Sequence, residues 1–144
     1  MRGDDVIGIL VNQGEQTIRF LKAEAKSNKA LSRKVLEKAR GELDLNDGLP
    51  APHALEFVAE RLRETGKHEL SDLIEKVQLC DGINANQVEH LLFTFTASNP
   101  ETLQKEAFKA YEGNIAQSSV GFRVNKHQEL IASVFQGVID GLDG

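Results

Sequence analysis

Four histidines and one cysteine are the side chains of this sequence best suited to metal binding or nucleophilic attack. His53, His68, His90 and His127 are separated by 15, 22 and 37 residues, so no two imidazoles stand one helical turn apart as the zinc-hydrolase helix requires. Cys80 is the only cysteine and cannot close an internal disulfide. Folding could bring its thiol to His90, and a thiolate beside an imidazole is a nucleophile or half a zinc site. The plainer reading is a buried thiol and a surface histidine, because an isolated cysteine packs as a small hydrophobe. A calcium loop with Gly48 at its sixth position fails, since Leu43, Leu45 and Ala54 would fall where oxygen ligands are needed. Phosphate-loop, dinucleotide and nucleophile-elbow patterns are missing. Carboxylate pairs such as Asp4-Asp5 occur without any tryptophan to suggest a sugar-stacking cleft, and they read as solvated surface. Arg2-Gly3-Asp4 matches an adhesion tripeptide by chance. No cofactor or metal is expected.

Charge is distributed unevenly. The net charge is -5, which disfavours non-specific nucleic-acid binding by the whole chain. Residues 22–40 nevertheless hold Lys22, Lys26, Lys29, Arg33, Lys34, Lys38 and Arg40 against Glu24 and Glu37, a local +5. Lys22, Lys26, Lys29 and Arg33 step by four, three and four and would share one face of a continuous helix. Such a face either keeps the protein solvated or docks an acidic partner, including the acidic face of a second copy; nucleic acid is the weaker third reading, because the -10 of the remaining chain would repel its backbone.

The elements that would position these residues read as helices. Ile7, Leu10, Val11, Ile18 and Leu21 recur at helical spacing and predict a helix over about 4–26. Leu31, Val35, Ala39 and Leu43 predict a second, separate from the first or continuous with it. Asn46-Asp47-Gly48 with Pro50 and Pro52 makes a turn no helix can cross. Leu55, Val58, Ala59 and Leu62 form a third stripe closed by Gly66, and Leu70, Leu73, Ile74 and Val77 a fourth. Asn84 with Gln87 reads as a capping pair before a fifth stripe of Val88, Leu91, Leu92 and Phe95. Asn99-Pro100-Glu101 starts a sixth helix that Gly113 closes. Asn125 with Gln128 opens a seventh, whose wide apolar arc from Leu130 to Ile139 predicts burial between others. Residues 118–124 alternate like a strand but have no partner in this scheme, so they read as a loop.

The stretch "LEKARGELDLNDGLPAPHALEFVAERLRETGKHELSDLIEKV", residues 36–77, resembles the second half of a death-fold domain of the death-effector or caspase-recruitment type. The family's Arg-x-Asp-Leu signature corresponds to Lys67-His68-Glu69-Leu70, with the sign of both charged positions kept. The resemblance implies homotypic assembly through charged patches, with Lys67 and Glu69 among the contact residues.

The expected fold is therefore all-α, a single compact bundle of six or seven antiparallel helices over residues 1–144. The expected function is protein–protein interaction without catalysis. Its contacts would be Lys22, Lys26, Lys29, Arg33, Lys34, Lys38, Arg40, Lys67 and Glu69, set against an acidic partner or a second copy. A small helical enzyme or regulator using Cys80 and His90 is the alternative. The absence of a membrane-length apolar run, of a secretory pattern and of a second cysteine predicts a cytoplasmic protein.

Overall fold

The computed structural model describes residues 5–12 and 17–142, and the Arg2-Gly3-Asp4 tripeptide lies outside them. The chain is mixed α/β, which corrects the all-α expectation. Strands β1 (Val6–Asn12) and β2 (Thr17–Asn28) are followed by helices α1 (Arg33–Leu43), α2 (Pro52–Glu64) and α3 (His68–Lys76). Then come β3 (Val88–Thr96), α4 (Glu101–Lys109), β4 (Ala116–Arg123) and α5 (His127–Leu142). The strands pair in chain order, β1 antiparallel to β2, with β2, β3 and β4 mutually parallel. Parallel neighbours need long crossovers, and α1–α3 and α4 supply them.

The predicted helix over 4–26 is two strands. Within β2, Ile18, Phe20, Lys22 and Glu24 are all buried and alternate with more exposed neighbours at residues 17, 19 and 25, the period of a strand rather than of a helix. The predicted fifth helix is β3, in which every second residue from Val88 to Thr96 is buried and the others are partly so. The segment taken for a loop is β4, whose missing partner is β3. Asn84 and Gln87 do pair, Gln87 Oε1 accepting from the Asn84 amide at 2.9 Å, but they lead into β3.

Helices α2 to α4 lie where the punctuation put them, and α1 stands apart from the segment before it. Ser32 caps α1 by accepting from the Val35 amide, and Pro52 begins α2. Gly66 ends the α2 segment at φ +78, a left-handed conformation glycine adopts without a Cβ clash. Buried Ser71 donates to the Ala59 carbonyl at 2.9 Å and ties α3 to α2.

All four helices cover one face of the sheet. Leu55 and Ala59 of α2 and Ile74 of α3 pack with Ile18, Phe20 and Val88. Leu36 and Ala39 of α1, with Leu103 and Ala107 of α4, pack over Leu92. Helix α5 departs from the expected burial, with Val134, Phe135, Val138 and Ile139 between 52% and 66% exposed. Among the described residues no helix is long and apolar enough to cross a membrane.

Candidate active site on the helical face of the sheet

A strand sends alternate side chains to one face, so β2 aims Lys22, Glu24 and Lys26 beneath α1, continuing the row that Ile18 and Phe20 begin. The β1–β2 register pairs Val6 with Ala23 and Ile7 with Lys22, and one further step sets Asp5 against Glu24. Asp5 Oδ2 accepts from the Ala25 amide at 3.0 Å, which fixes its carboxylate beside that of Glu24. Lys26 Nζ donates to Glu24 Oε1. The Glu24 side chain is 7% exposed and that of Lys26 20%. Burial pushes the Glu24 carboxyl above its ordinary range; Lys26 opposes this, while the negative charges of Asp5 and Glu42 add to it. A carboxylate kept in a setting that disfavours its charge is a candidate functional group.

Farther along the same face, Lys22 is 1% exposed and donates to the carbonyls of Leu45 and Leu49 at 2.7 and 3.0 Å. Opposite it in the register is His90, fully buried. His90 Nε2 lies 2.8 Å from the Gly48 carbonyl, which can only accept, so Nε2 carries the proton. Nδ1 then accepts from Arg40 and Gln117. Burial, reinforced by the positive charges of Arg40 and Lys22, lowers the His90 pKa and keeps the ring neutral; the Gly48 bond and Asp44 oppose this. The Arg40 guanidinium also bonds Gln117 and stacks on the Tyr111 ring at 4.5 Å from its centroid. Together Lys22 and His90 hold the turn after α1, where Asn46, Asp47 and Gly48 take positive φ in succession. Lys22 and His90 thus hold the fold at this turn, and the Asp5, Glu24 and Lys26 group is the candidate for chemistry.

The basic residues singled out in the sequence do not form one helical stripe, because residues 17–28 are a strand. Lys22 and Lys26 point inward, and Arg40 is held in the His90 network. Lys29, Lys34 and Lys38 are exposed, and Arg33 pairs with Glu106 at 2.9 Å. Lys67 and Glu69 are exposed at the start of α3. Cys80 is exposed, and both ring nitrogens of His90 bond to other groups. Asp5 was read in the sequence as solvated surface beside Asp4, and Glu24 and Glu42 were not singled out as site residues. Their signal was a Glu-x-Lys pair continuing the inward face of an alternating apolar segment, visible once β2 is read as a strand.

Among the described residues no three carboxylate, imidazole or thiol groups converge as a metal cage. The donor set is two carboxylates, the number with which a protein commonly holds Mg²⁺ when waters and substrate phosphate complete the octahedron.

A family model described as HamA matches residues 1–138. The chain therefore belongs to the HamA family, and this match replaces the death-fold resemblance, which the four-stranded sheet also excludes. No curated protein matches the chain.

Proposed function

We propose that this HamA-family chain hydrolyses phosphodiester bonds of nucleic acid, with a divalent cation held by Asp5 and Glu24 and with Lys26 as the cationic group beside it. The observation that carries the reading is the buried Glu24 carboxylate, raised in pKa, with a second carboxylate across the strand pair and a lysine two residues along the same face. Two carboxylates and an ammonium match the needs of phosphoryl chemistry, in which negative charge gathers on oxygens around phosphorus. A bound cation would neutralise the phosphate and lower the pKa of a coordinated water. Lys26 is suited to hold a phosphate oxygen or the attacking water by hydrogen bonds, and Glu24 orients Lys26. In the overall reaction water adds to phosphorus, the bond to the leaving oxygen breaks, and that oxygen takes up a proton.

The substrate class follows from charge. The +5 segment 22–40 contains Glu24 and Lys26 and continues into α1, with Lys29, Lys34 and Lys38 exposed, so the cations that attract a phosphate backbone flank the carboxylates. The remainder of the chain carries -10, which brings the whole to -5.

The test is cleavage of labelled DNA and RNA by the purified chain with Mg²⁺ or Mn²⁺, compared with Glu24→Gln and Lys26→Met. Each substitution should lower the rate by about 10² or more. An inactive wild type, or variants cleaving at its rate, would overturn the proposal.

Docking of an acidic protein on Lys29, Arg33 and Lys34 stands as a second proposal, supported by the exposure of these cations. Reversing all three to Glu should abolish capture of that partner without lowering the melting temperature, and unchanged capture would exclude it.

A further inference from the structure

The helices cover one face of the sheet, and the other face is open and largely apolar, with Arg19 and Glu89 on it beside Leu10 and Leu21. On it stand Leu21, Leu91, Phe93 and Phe95, which are partly buried, and Val6, Leu10, Val120 and Phe122, which are 53%, 66%, 39% and 53% exposed. Phe93 and Phe122 stack with centroids 5.5 Å apart. Helix α5 has the same character. Leu130, Val134 and Val138 follow one another at four-residue intervals, as do Ile131, Phe135 and Ile139, so the two rows make one broad apolar stripe. All of these but Ile131 are between 41% and 66% exposed. The first turn of α5 is fixed to the open face, where His127 bonds Ser27 Oγ at 3.0 Å and its ring lies 5.1 Å from that of Phe95. Beyond that turn the helix leaves its own sheet.

We infer that the occupant of the open face is a second copy of this chain, each copy laying its α5 across the sheet of the other. A helix that needs a sheet and a sheet that needs a helix are both present in one chain, so a single two-fold operation satisfies both, as a self-complementary interface requires. The lengths match: the 16 residues of α5 span about 24 Å and the nine of β3 about 30 Å. The area also matches. With roughly 150 Å² or somewhat more for each large apolar side chain when fully free, and with 39–66% of each residue exposed, the nine residues of helix and sheet would bury up to about 800 Å² per copy, the amount a stable protein interface takes. Asp5, Glu24 and Lys26 lie on the opposite face, so pairing does not cover them and does not depend on the proposed hydrolysis.

Sedimentation velocity of the full chain at about 10 μM should give twice the monomer mass. Phe135→Asp on α5 and Phe122→Ser on β4 should each return the monomer with an unchanged circular dichroism spectrum, both positions being exposed in the single chain. Phe57→Asp, at a residue 59% exposed on α2, should leave the dimer intact. A wild-type monomer at this concentration, including one with α5 closed on its own sheet, overturns the inference. So does a dimer that survives both Phe135→Asp and Phe122→Ser.

Discussion

The Glu24–Lys26 pair makes an asymmetric prediction, because its two members are buried to different depths. The Glu24 side chain is 7% exposed and that of Lys26 20%, on a stem long enough to carry the ammonium to water. Glu24→Gln removes the charge that burial disfavours, keeps the shape and retains an oxygen for Lys26 to bond, so stability should change by less than about 1 kcal/mol. Lys26→Met leaves the Glu24 carboxylate enclosed beside Asp5 and Glu42 without its cation. Removing one partner of a buried pair costs about 3–5 kcal/mol, and the ability of Glu24 to take up a proton reduces this to about 2–4 kcal/mol at neutral pH. The double variant Glu24→Gln/Lys26→Met should recover most of that loss. Urea unfolding measures all four proteins: with a slope of about 1–3 kcal/mol per molar, Lys26→Met should lower the midpoint by about 1 M or more. The folded Glu24 carboxyl lies above its ordinary value of 4.5. Its ionisation therefore opposes folding, and the penalty in Lys26→Met should be absent below about pH 4.3 and grow as pH rises through the folded pKa. Lys26→Met no more costly than Glu24→Gln, or a double variant as unstable as Lys26→Met, would refute the burial argument.

Other substitutions test the frame around the site. Gly48→Ala adds a Cβ 2.5 Å from Ile115 Cδ1 and 3.1 Å from His90 Cε1 at φ +78, whereas Gly66→Ala has the same φ and nothing within 4 Å. Gly66→Ala should cost about 1–2 kcal/mol and Gly48→Ala about 1–3 kcal/mol more, and equal midpoints in urea would contradict the packing described at the turn. The His90 pKa is lowered from 6.5 by burial, so the folded chain binds the proton less well than the unfolded chain. Stability is full above about pH 6.5 and falls, by at most about 1.4 kcal/mol per pH unit, as pH drops toward and through the folded pKa. His90→Gln should flatten that part of the profile, and an unchanged slope in a urea series would show the loss to arise elsewhere. Thr94→Val removes the acceptor of buried Gln104 Nε2, bonded at 3.0 Å, and should cost about 1–3 kcal/mol, read as a lower melting temperature.

The helices were legible because their ends carry chemistry that acts locally: the turn from Asn46 to Pro52 before α2, Gly66 after it, and Asn99-Pro100-Glu101 at the start of α4. The strands were not, because two of them lack the alternation that identifies a strand. The buried face of β2 runs from Ile18 and Phe20 into Lys22 and Glu24, so half of its inward positions read as surface. In β3 the second face carries Leu91, Phe93 and Phe95 and the first Val88 and Leu92 among His90, Thr94 and Thr96, and apolar residues shared between two faces fit a helical stripe as well as a strand. One misreading then forced another. The alternation of β4 was visible in residues 118–124, but with β3 taken for a helix it had nothing to pair with. The site shared this fate, since Lys22 and Lys26 are neighbours on a helical surface at a spacing of four but lie on one inward face of a strand with Glu24 between them.

The two faces of the sheet also differ in what their polarity costs. On the helical face Lys22, Glu24, His90, Thr94 and Gln104 are all buried, and a buried polar group is tolerable only when bonded. Lys22, His90, Thr94 and Gln104 meet that condition with groups that hold the turn after α1 or seat α4. Glu24 differs in kind. Its bonding partner is Lys26, two residues along the same strand, and the two other charges bearing on it, Asp5 and Glu42, are negative. A structural ion pair would gain by replacing those neighbours with neutral ones. A cation-binding group would not, because the repulsion that raises the Glu24 pKa is what an arriving divalent ion relieves. Added Mg²⁺ should therefore raise the melting temperature of the wild type and have a smaller effect on Glu24→Gln, in which one ligand charge and the repulsion are gone. Equal shifts in the two proteins would leave Glu24 as half of an ion pair and nothing more.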